Sequence, residues 1–167
     1  MYNVFSPMLV SVVMLSIFLM GCLSPNDDNS HAYHPHIGEH DRCHMCGMMI
    51  TKYPGPKGVL ELANSSVNPK FCSTRDMFNY ALQPENTRRI VQMSVHDIEQ
   101  TDWAKPSNHH FISANSAWYV YGSSKEAVMG TAVASFASEQ GANQFAANYG
   151  GKVIRFEQID LALLAED

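Results

Sequence analysis

A short pattern, Phe-x-Ser, occurs twice in this 167-residue chain, at 71–73 and again 65 residues later at 136–138. Each copy follows a stretch typical of a β-strand and precedes a stretch with the apolar spacing of an amphipathic helix. Serine at such a junction is a preferred helix N-cap. Because a supersecondary unit repeated along the chain gives this kind of echo, we predict an α+β fold of two small tandem strand-strand-helix-strand units. Their sheets are expected to be antiparallel or mixed, with one helix each.

The first unit is predicted from alternation, turn signals and a cap. The predicted strands are Met48–Tyr53 and Val59–Ala63, which we expect to pair as a hairpin across Pro54-Gly55-Pro56, and Arg89–His96. Ser73, with Asp76 three positions later, predicts a helix start. Met77, Phe78, Ala81 and Leu82 give that helix its apolar face, and Pro84 is expected to end it.

The second unit repeats the order after a connecting loop, Trp103–Asn115. Its predicted elements are strands Ala117–Gly122 and Ala132–Phe136, a helix over Ser138–Tyr149 and a closing strand Lys152–Phe156. Gly150-Gly151 is a typical helix stop.

The N-terminus indicates export. Met8–Met20 is a 13-residue apolar run, the length of a signal-peptide core rather than of a spanning helix. The run ends in Leu-Met-Gly-Cys22, which resembles the lipobox of bacterial lipoproteins and predicts lipidation of Cys22. An uncleaved anchor over Tyr2–Leu23 is the alternative. We therefore divide the chain into a signal peptide (1–21), a flexible His-rich tether (22–41), the first unit (42–100), a connection (101–116) and the second unit (117–167).

The net charge and the histidine content indicate which kinds of molecule or ion the chain can bind. The net charge of −5 argues against nucleic acid or an anionic membrane surface as partner. Five of the eight histidines, at positions 31, 34, 36, 40 and 44, lie in or just after the tether. Such a tract either binds metal loosely or is a solvated linker.

The loop Cys43-His44-Met45-Cys46-Gly47-Met48 carries the strongest chemical signal. It places two thiols and two thioethers within six residues. Both are soft donors, which Cu(I) prefers. Zinc sites use Cys, His and carboxylate instead, so Met45 and Met48 favour copper. His44 is a possible additional ligand, whereas Met49, Met77 and Met93 are expected to be core residues.

Two other uses of Cys43 and Cys46 stay open at this stage. A thioredoxin-like redox pair should open a helix, but here a glycine and a predicted strand follow. A zinc site would need two further ligands, for which Cys72 and His44 are available. Cys72 itself is either a small buried hydrophobic residue or a ligand. Lipidation of Cys22 would leave three thiols outside the cytosol, an odd number that suggests a use other than disulfides.

With these residues in place, the chain resembles the NosL family of copper-binding lipoproteins linked to nitrous-oxide reductase maturation. The resemblance covers most of residues 42–157. The matching pieces are Cys-x-Met-Cys-Gly-Met at 43–48, Phe71-x-Ser73 with Met77-Phe78, Asp102-Trp103, Ala117-x-Tyr119-Val120, Val128-Met129-Gly130, Phe136-Ala137-Ser138 and Gly150-Gly151. It implies two strand-strand-helix-strand units, and it implies that Met129 joins the copper site from the second unit.

The resemblance also implies a function. We expect a lipid-anchored Cu(I) metallochaperone on the periplasmic face of a bacterial membrane, the outer membrane rather than the inner. Its acceptor would be apo nitrous-oxide reductase or the ABC-transporter-linked assembly complex. No catalytic turnover is expected, because Ser73 and Ser138 are better explained as helix caps than as nucleophiles.

Overall fold

Two antiparallel sheets, each packed against a helix, form the part of the chain that the computed structural model describes, residues 34–166. The predicted α+β class is confirmed, and the order strand, strand, helix, strand occurs in both halves. The strands are β1 (Gly58–Leu62), β2 (Lys70–Phe71), β3 (Ile90–His96), β4 (Phe111–Ser113), β5 (Trp118–Tyr121), β6 (Val133–Phe136) and β7 (Lys152–Arg155). The α-helices are α1 (Thr74–Ala81), α2 (Pro84–Thr87), α3 (Glu139–Tyr149) and α4 (Leu161–Leu164). The strand orders are β2-β1-β3-β4 and β6-β5-β7.

The two Phe-x-Ser patterns do mark equivalent junctions. The Ser73 hydroxyl accepts a hydrogen bond from the Asp76 N–H at 3.0 Å and caps α1. The Ser138 hydroxyl accepts one from the Gly141 N–H at 2.9 Å and caps α3. Helix α3 ends at Tyr149, and its C-cap is Gly150, whose φ of 72° suits glycine. Both predicted caps are therefore confirmed.

The first predicted strand is wrong. Ile50–Lys52 forms a 3₁₀ helix, and Met49 makes a single-residue bridge to Arg42. Backbone groups of this segment are used locally, since the Cys43 N–H donates to Met48 O at 2.8 Å and the Ile50 N–H donates to Asp41 O at 3.0 Å. The predicted hairpin is replaced by β1 pairing with β2 on one side and β3 on the other.

Two smaller differences lie elsewhere in the first sheet. Helix α1 ends at Ala81, before Pro84, and Pro84 instead occupies the first turn of α2. A proline is tolerated there because the N–H it lacks has no partner within the helix. The predicted connection contains β4, which pairs with β3 through Ser94–Ser113.

Both sheets contribute to one main hydrophobic core. Phe78 on α1 meets Tyr119 on β5, with ring centroids 5.4 Å apart. The Tyr119 hydroxyl donates to Ala114 O at 2.6 Å, so its buried polar end is satisfied. Met77 is fully buried and Met93 packs against the same core, as predicted. A second cluster joins Phe136 and Phe145 beneath Trp103.

The segment leading into the fold is partly attached to it. Ile37 is buried, and its backbone N–H and C=O both bond the Asn108 side chain at 2.9 Å. Cys22, the predicted signal peptide and His31 lie outside the described residues, and the predicted boundaries between segments stay predictions. No helix between residues 34 and 166 has the length and hydropathy to cross a bilayer.

A buried histidine makes the stability of the fold depend on pH. Burial and the nearby Lys57 charge lower the pKa of His96 to about 3, from 6.5. Between about pH 6.5 and pH 3, His96 is protonated in the unfolded chain but neutral in the folded chain. The free energy of unfolding therefore falls as the pH decreases through this range. We expect the free energy of unfolding to be about 2 kcal/mol lower at pH 5 than at pH 8 from this residue alone.

Urea unfolding at both pH values, on wild type and His96→Asn, measures this contribution. In wild type the backbone N–H of Lys57 donates a hydrogen bond to His96 Nδ1 at 3.1 Å. The side-chain oxygen of asparagine can accept this hydrogen bond instead. The pH-dependent loss should shrink by about 2 kcal/mol in the variant. An equal loss in both proteins would assign the titration to other groups.

Candidate metal centre

Three cysteine sulfurs and one carboxylate converge at the N-terminus of α1. Cys43 and Cys46 come from the loop before β1, Cys72 follows β2, and Asp76 lies in the first turn of the helix. Their ligand atoms all lie within 4.8 Å of one another. Cys46 Sγ is 3.5 Å from Cys72 Sγ, and Cys72 Sγ is 3.1 Å from Asp76 Oδ2. Cys43 Sγ lies 3.8 Å from the same oxygen.

The loop that carries Cys43 and Cys46 is a closed turn fixed to the sheet. The Gly47 N–H donates to Cys43 O at 2.8 Å, and Gly47 has a φ of 73°, which a glycine adopts without strain. The His44 N–H donates to Lys70 O at 2.8 Å and fastens the turn to β2. Both cysteines are therefore positioned by backbone hydrogen bonds.

The helix side of the cluster follows from the Ser73 cap. Residues 72 and 76 are four apart, so their side chains project on the same face where the helix begins. The cap fixes the Asp76 backbone. The carboxylate thus meets the Cys72 sulfur inside the protein, where both residues are buried.

Proton positions in the cluster follow from its hydrogen bonds. The Cys72 thiol donates to Asp76 Oδ2. Contacts with Cys72 and with backbone N–H groups of Cys46, Cys72 and Met45 lower the pKa of Cys43 against the cost of burial. The same contact with Cys43, together with burial and the Asp76 charge, raises the pKa of Cys72. Burial first, and then the Cys43 charge, raises the pKa of Asp76. These contacts shift the pKa of Cys43 downward and the pKa of Cys72 upward.

A buried lysine supports this negative charge. Lys57 is 3% exposed, and its Nζ donates to the carbonyls of Tyr53, Pro54 and Cys72 at 2.8–2.9 Å. Burial lowers the pKa of Lys57 to about 8. The charges of Cys72, Cys43 and Asp76 act in the opposite direction and raise it. At neutral pH the ammonium therefore offsets part of the charge of the cluster.

Sequence reasoning anticipated part of this cluster. Cys43 and Cys46 are brought together, and Cys72, for which a core role and a ligand role were both open, has its sulfur among the potential donors. Asp76 was identified only as part of a helix-start signal. The available clue was its spacing from Cys72, four residues at a helix N-terminus. His44 lies at the edge of the site, where its ring packs edge-on against Phe71 and Tyr80.

The three methionines predicted as ligands differ in exposure and in position in the chain. Met45 lies in the turn between the two cysteines and is 51% exposed, whereas Met48 packs partly against the main core. Met129 is 44% exposed in the segment between β5 and β6. The adjacent Gly130 lies directly against the Arg75 guanidinium, next to Asp76 on α1. Ligation by Met45, Met48, Met129 or His44 stays a prediction, as does that by the cysteines.

Comparisons with known proteins agree with the resemblance found in the sequence. The sequence model of the NosL family matches residues 34–164. A copper-binding lipoprotein NosL from Stutzerimonas stutzeri is 43% identical over 154 residues, 92% of this chain and 80% of that protein. One of the same name from Achromobacter cycloclastes is 32% identical over 124 residues, 72% of this chain and 64% of that protein.

A solved structure has a similar fold. The crystal structure of the copper chaperone NosL from Shewanella denitrificans matches with a TM-score of 0.75 at 43% sequence identity. The match covers 78% of this chain and 97% of that chain. Identity at this level supports a shared arrangement of the strands and helices that hold the cysteine cluster.

Proposed function

Because this chain belongs to the NosL family, we propose that it carries Cu(I) in the cluster of Cys43, Cys46, Cys72 and Asp76 and passes the ion to an acceptor protein outside the cytoplasm. The observation that carries this proposal is the convergence of three sulfur donors and one carboxylate within 4.8 Å. The lowered pKa of Cys43 reduces the cost of the deprotonation that metal binding requires.

The donor types favour the monovalent ion. Thiolate and thioether ligands select Cu(I) over harder divalent ions, and Met45 and Met48 flank the cysteines in the same turn. Cu(I) is satisfied by two to four donors, so a subset of these sulfurs suffices. Cys46 and Met45 are exposed, which gives an acceptor ligand direct access. The ion can therefore leave by stepwise ligand exchange rather than by unfolding of the site.

We expect Met129 to complete the site from the second sheet. The contact between Gly130 and Arg75 holds the segment of Met129 against the first turn of α1. Copper affinity should then depend on this contact, although neither residue is a ligand.

Gly130→Ala should weaken Cu(I) binding by about tenfold, the lower end of the range for lost positioning around a metal. Gly130 has a φ of 60°, and an added Cβ would overlap Arg75 Nη1. The matched control is Gly122→Ala, where φ is 78° but no atom lies within 4 Å of the added Cβ. Competition with a chromogenic Cu(I) chelator measures both variants. If Gly130→Ala and Gly122→Ala bind Cu(I) with equal affinity, Met129 is not part of the site.

The site of action follows from the N-terminus and the family. Lipidation of Cys22 would anchor the chain to the periplasmic face of a bacterial membrane, for which we favour the outer membrane. The acceptor we propose is apo nitrous-oxide reductase or its ABC-transporter-linked assembly complex. This is a binding and transfer function without catalytic turnover.

The cluster also gives the zinc alternative a specific basis. Three cysteines and one carboxylate form a four-donor set of the kind that Zn(II) accepts. A zinc module would load Zn(II) tightly and would lose its fold on chelation. The oxidoreductase alternative has less support, since Cys43 and Cys46 lie in a turn before a 3₁₀ helix rather than at the start of an α-helix.

Copper transfer tests the proposed function. The reduced full-length protein in detergent is loaded with Cu(I) and mixed anaerobically with metal-free nitrous-oxide reductase, and the copper in each protein is measured after separation. We expect copper in the reductase, and none transferred from Cys43→Ser protein incubated with the same copper. Copper that stays on the chain when the reductase is present would contradict this acceptor.

A further inference from the structure

We propose that Cys46 and Cys72 form a reversible disulfide that closes the metal site under oxidising conditions, while Cys43 stays reduced. The expected bond joins residues 26 positions apart. It does not join Cys43 to Cys46, the two cysteines of the Cys-x-x-Cys motif. Formation of this bond is independent of the proposed function; only its effect on copper binding rests on that function.

Accessibility determines where oxidation begins. Cys46 is exposed, whereas Cys43 and Cys72 are buried. A disulfide-containing oxidant such as oxidised glutathione can therefore reach the Cys46 sulfur first. Attack by that sulfur on the oxidant would give a mixed disulfide at Cys46 and release one molecule of reduced thiol.

Proximity determines which thiol completes the reaction. Cys72 Sγ lies 3.5 Å from Cys46 Sγ, so the sulfurs must approach by about 1.5 Å to reach a normal disulfide length. Rotation of the exposed Cys46 side chain can supply this movement while the backbone of the turn stays bonded to β2. Cys72 passes its proton to Asp76 Oδ2, to which it donates at 3.1 Å, and attacks Cys46 Sγ. The bond between Cys46 and the oxidant breaks, and the second glutathione leaves as a thiolate that takes up this proton. In balance, two cysteine thiols and one glutathione disulfide become one protein disulfide and two glutathione thiols.

The surroundings of Cys43 favour this pairing over the one within the motif. Backbone N–H groups of Met45, Cys46 and Cys72 point to Cys43 Sγ. If Cys43 entered a disulfide, these donors would face a weak acceptor inside the protein, and buried donors without good partners destabilise a structure. Asp76, the partner that Cys72 would lose, remains hydrogen-bonded to Ser73. Because thiol–disulfide exchange is reversible, the more stable pairing accumulates.

The disulfide would control copper loading. It withdraws two of the three sulfur donors from the cluster, and disulfide sulfur does not replace a thiolate as a ligand. Conversely, bound Cu(I) would occupy Cys46 and Cys72 and slow their oxidation. Disulfides persist outside the cytosol, so an exported chain would need copper or a reductant to keep this site open.

Disulfide mapping tests the proposal directly. The metal-free, reduced full-length protein in detergent is treated with oxidised glutathione, quenched by alkylation and digested for mass spectrometry. We expect a Cys46–Cys72 bond in wild type and in Cys43→Ala, and an alkylated Cys43 in wild type. Cys72→Ala should keep glutathione on Cys46 for about tenfold longer than wild type, because the nearest resolving thiol is missing. A Cys43–Cys46 bond in wild type, or no intramolecular bond, would overturn the proposal.

The copper measurement separates the two proposals. Oxidised wild type should bind Cu(I) about 100-fold more weakly than reduced wild type, and dithiothreitol followed by its removal should restore binding. If the reduced protein does not bind Cu(I), the proposed function fails, while the disulfide map still decides the pairing. If oxidised and reduced proteins bind Cu(I) equally, the claim that this bond closes the site is wrong.

Discussion

Cys72→Ala is expected to lower the affinity for Cu(I) by about 100-fold, the upper end of the losses seen for residues that support a metal site, since a direct donor is removed. Cys72 Sγ lies at the centre of the cluster, close to Cys46, Cys43 and Asp76. The fold should survive, because the change from cysteine to alanine removes a single heavy atom from the buried position. Competition with a chromogenic Cu(I) chelator gives the affinity, and circular dichroism gives the fold.

Met93→Leu is the matched control for this variant. It also removes one sulfur, but from a core methionine on β3, and a swap that conserves volume is well tolerated. Its Cu(I) affinity should equal that of wild type. Wild-type affinity in the Cys72→Ala protein would instead make Cys72 a small core residue, as one interpretation of the sequence allowed.

Lys57→Met should lower the free energy of unfolding of the metal-free protein by about 3 kcal/mol, among the largest effects of a single substitution. The ammonium donates hydrogen bonds to three carbonyls, and the buried Cys72 carbonyl and the partly buried Tyr53 and Pro54 carbonyls would all lose this donor. Its charge also offsets negative charge on the cysteines and Asp76, which would lose that support. Methionine has a similar length, so the effect reports the lost charge and hydrogen bonds more than a cavity.

Lys52→Met controls for the change of charge. Lys52 is exposed on the neighbouring 3₁₀ helix, and a surface substitution of this kind should change stability by less than about 0.5 kcal/mol. Urea unfolding of both variants in reducing buffer makes the comparison. Similar stabilities for the two variants would mean that the carbonyls around Lys57 find other donors without cost.

Local signals predicted the repeated part of the fold. The serine caps at 73 and 138 and the apolar spacing of α1 and α3 are encoded within single turns of helix, so they can be read without knowledge of tertiary contacts. The alternation at Arg89–His96 likewise gave β3 within one residue. The soft sulfur donors at 43–48 favoured copper by their chemistry, and the family resemblance added Met129 as an expected ligand and the acceptor protein.

The elements that sequence reasoning missed depend on contacts distant in the chain. Strand β4 forms because it pairs with β3. The segment from Met48 onward forms a bridge and a 3₁₀ helix instead of a strand, because its backbone hydrogen-bonds to Asp41 and Cys43. Asp76 joins the cluster because the turn of Cys43 docks on β2 beside the helix N-terminus. No periodicity within the chain encodes that docking.

A competition between Cu(I) and Zn(II) tests the central claim that the sulfur-rich cluster selects the monovalent ion. The reduced, metal-free full-length protein in detergent receives equimolar amounts of both ions under anaerobic conditions, alongside the double variant Met45→Leu, Met48→Leu, and the bound metals are measured after desalting. The account predicts that wild type retains Cu(I) in preference to Zn(II) and that the double variant loses much of this preference. Retention of Zn(II) with exclusion of Cu(I) by wild type, or an unchanged preference without the two methionines, would contradict it.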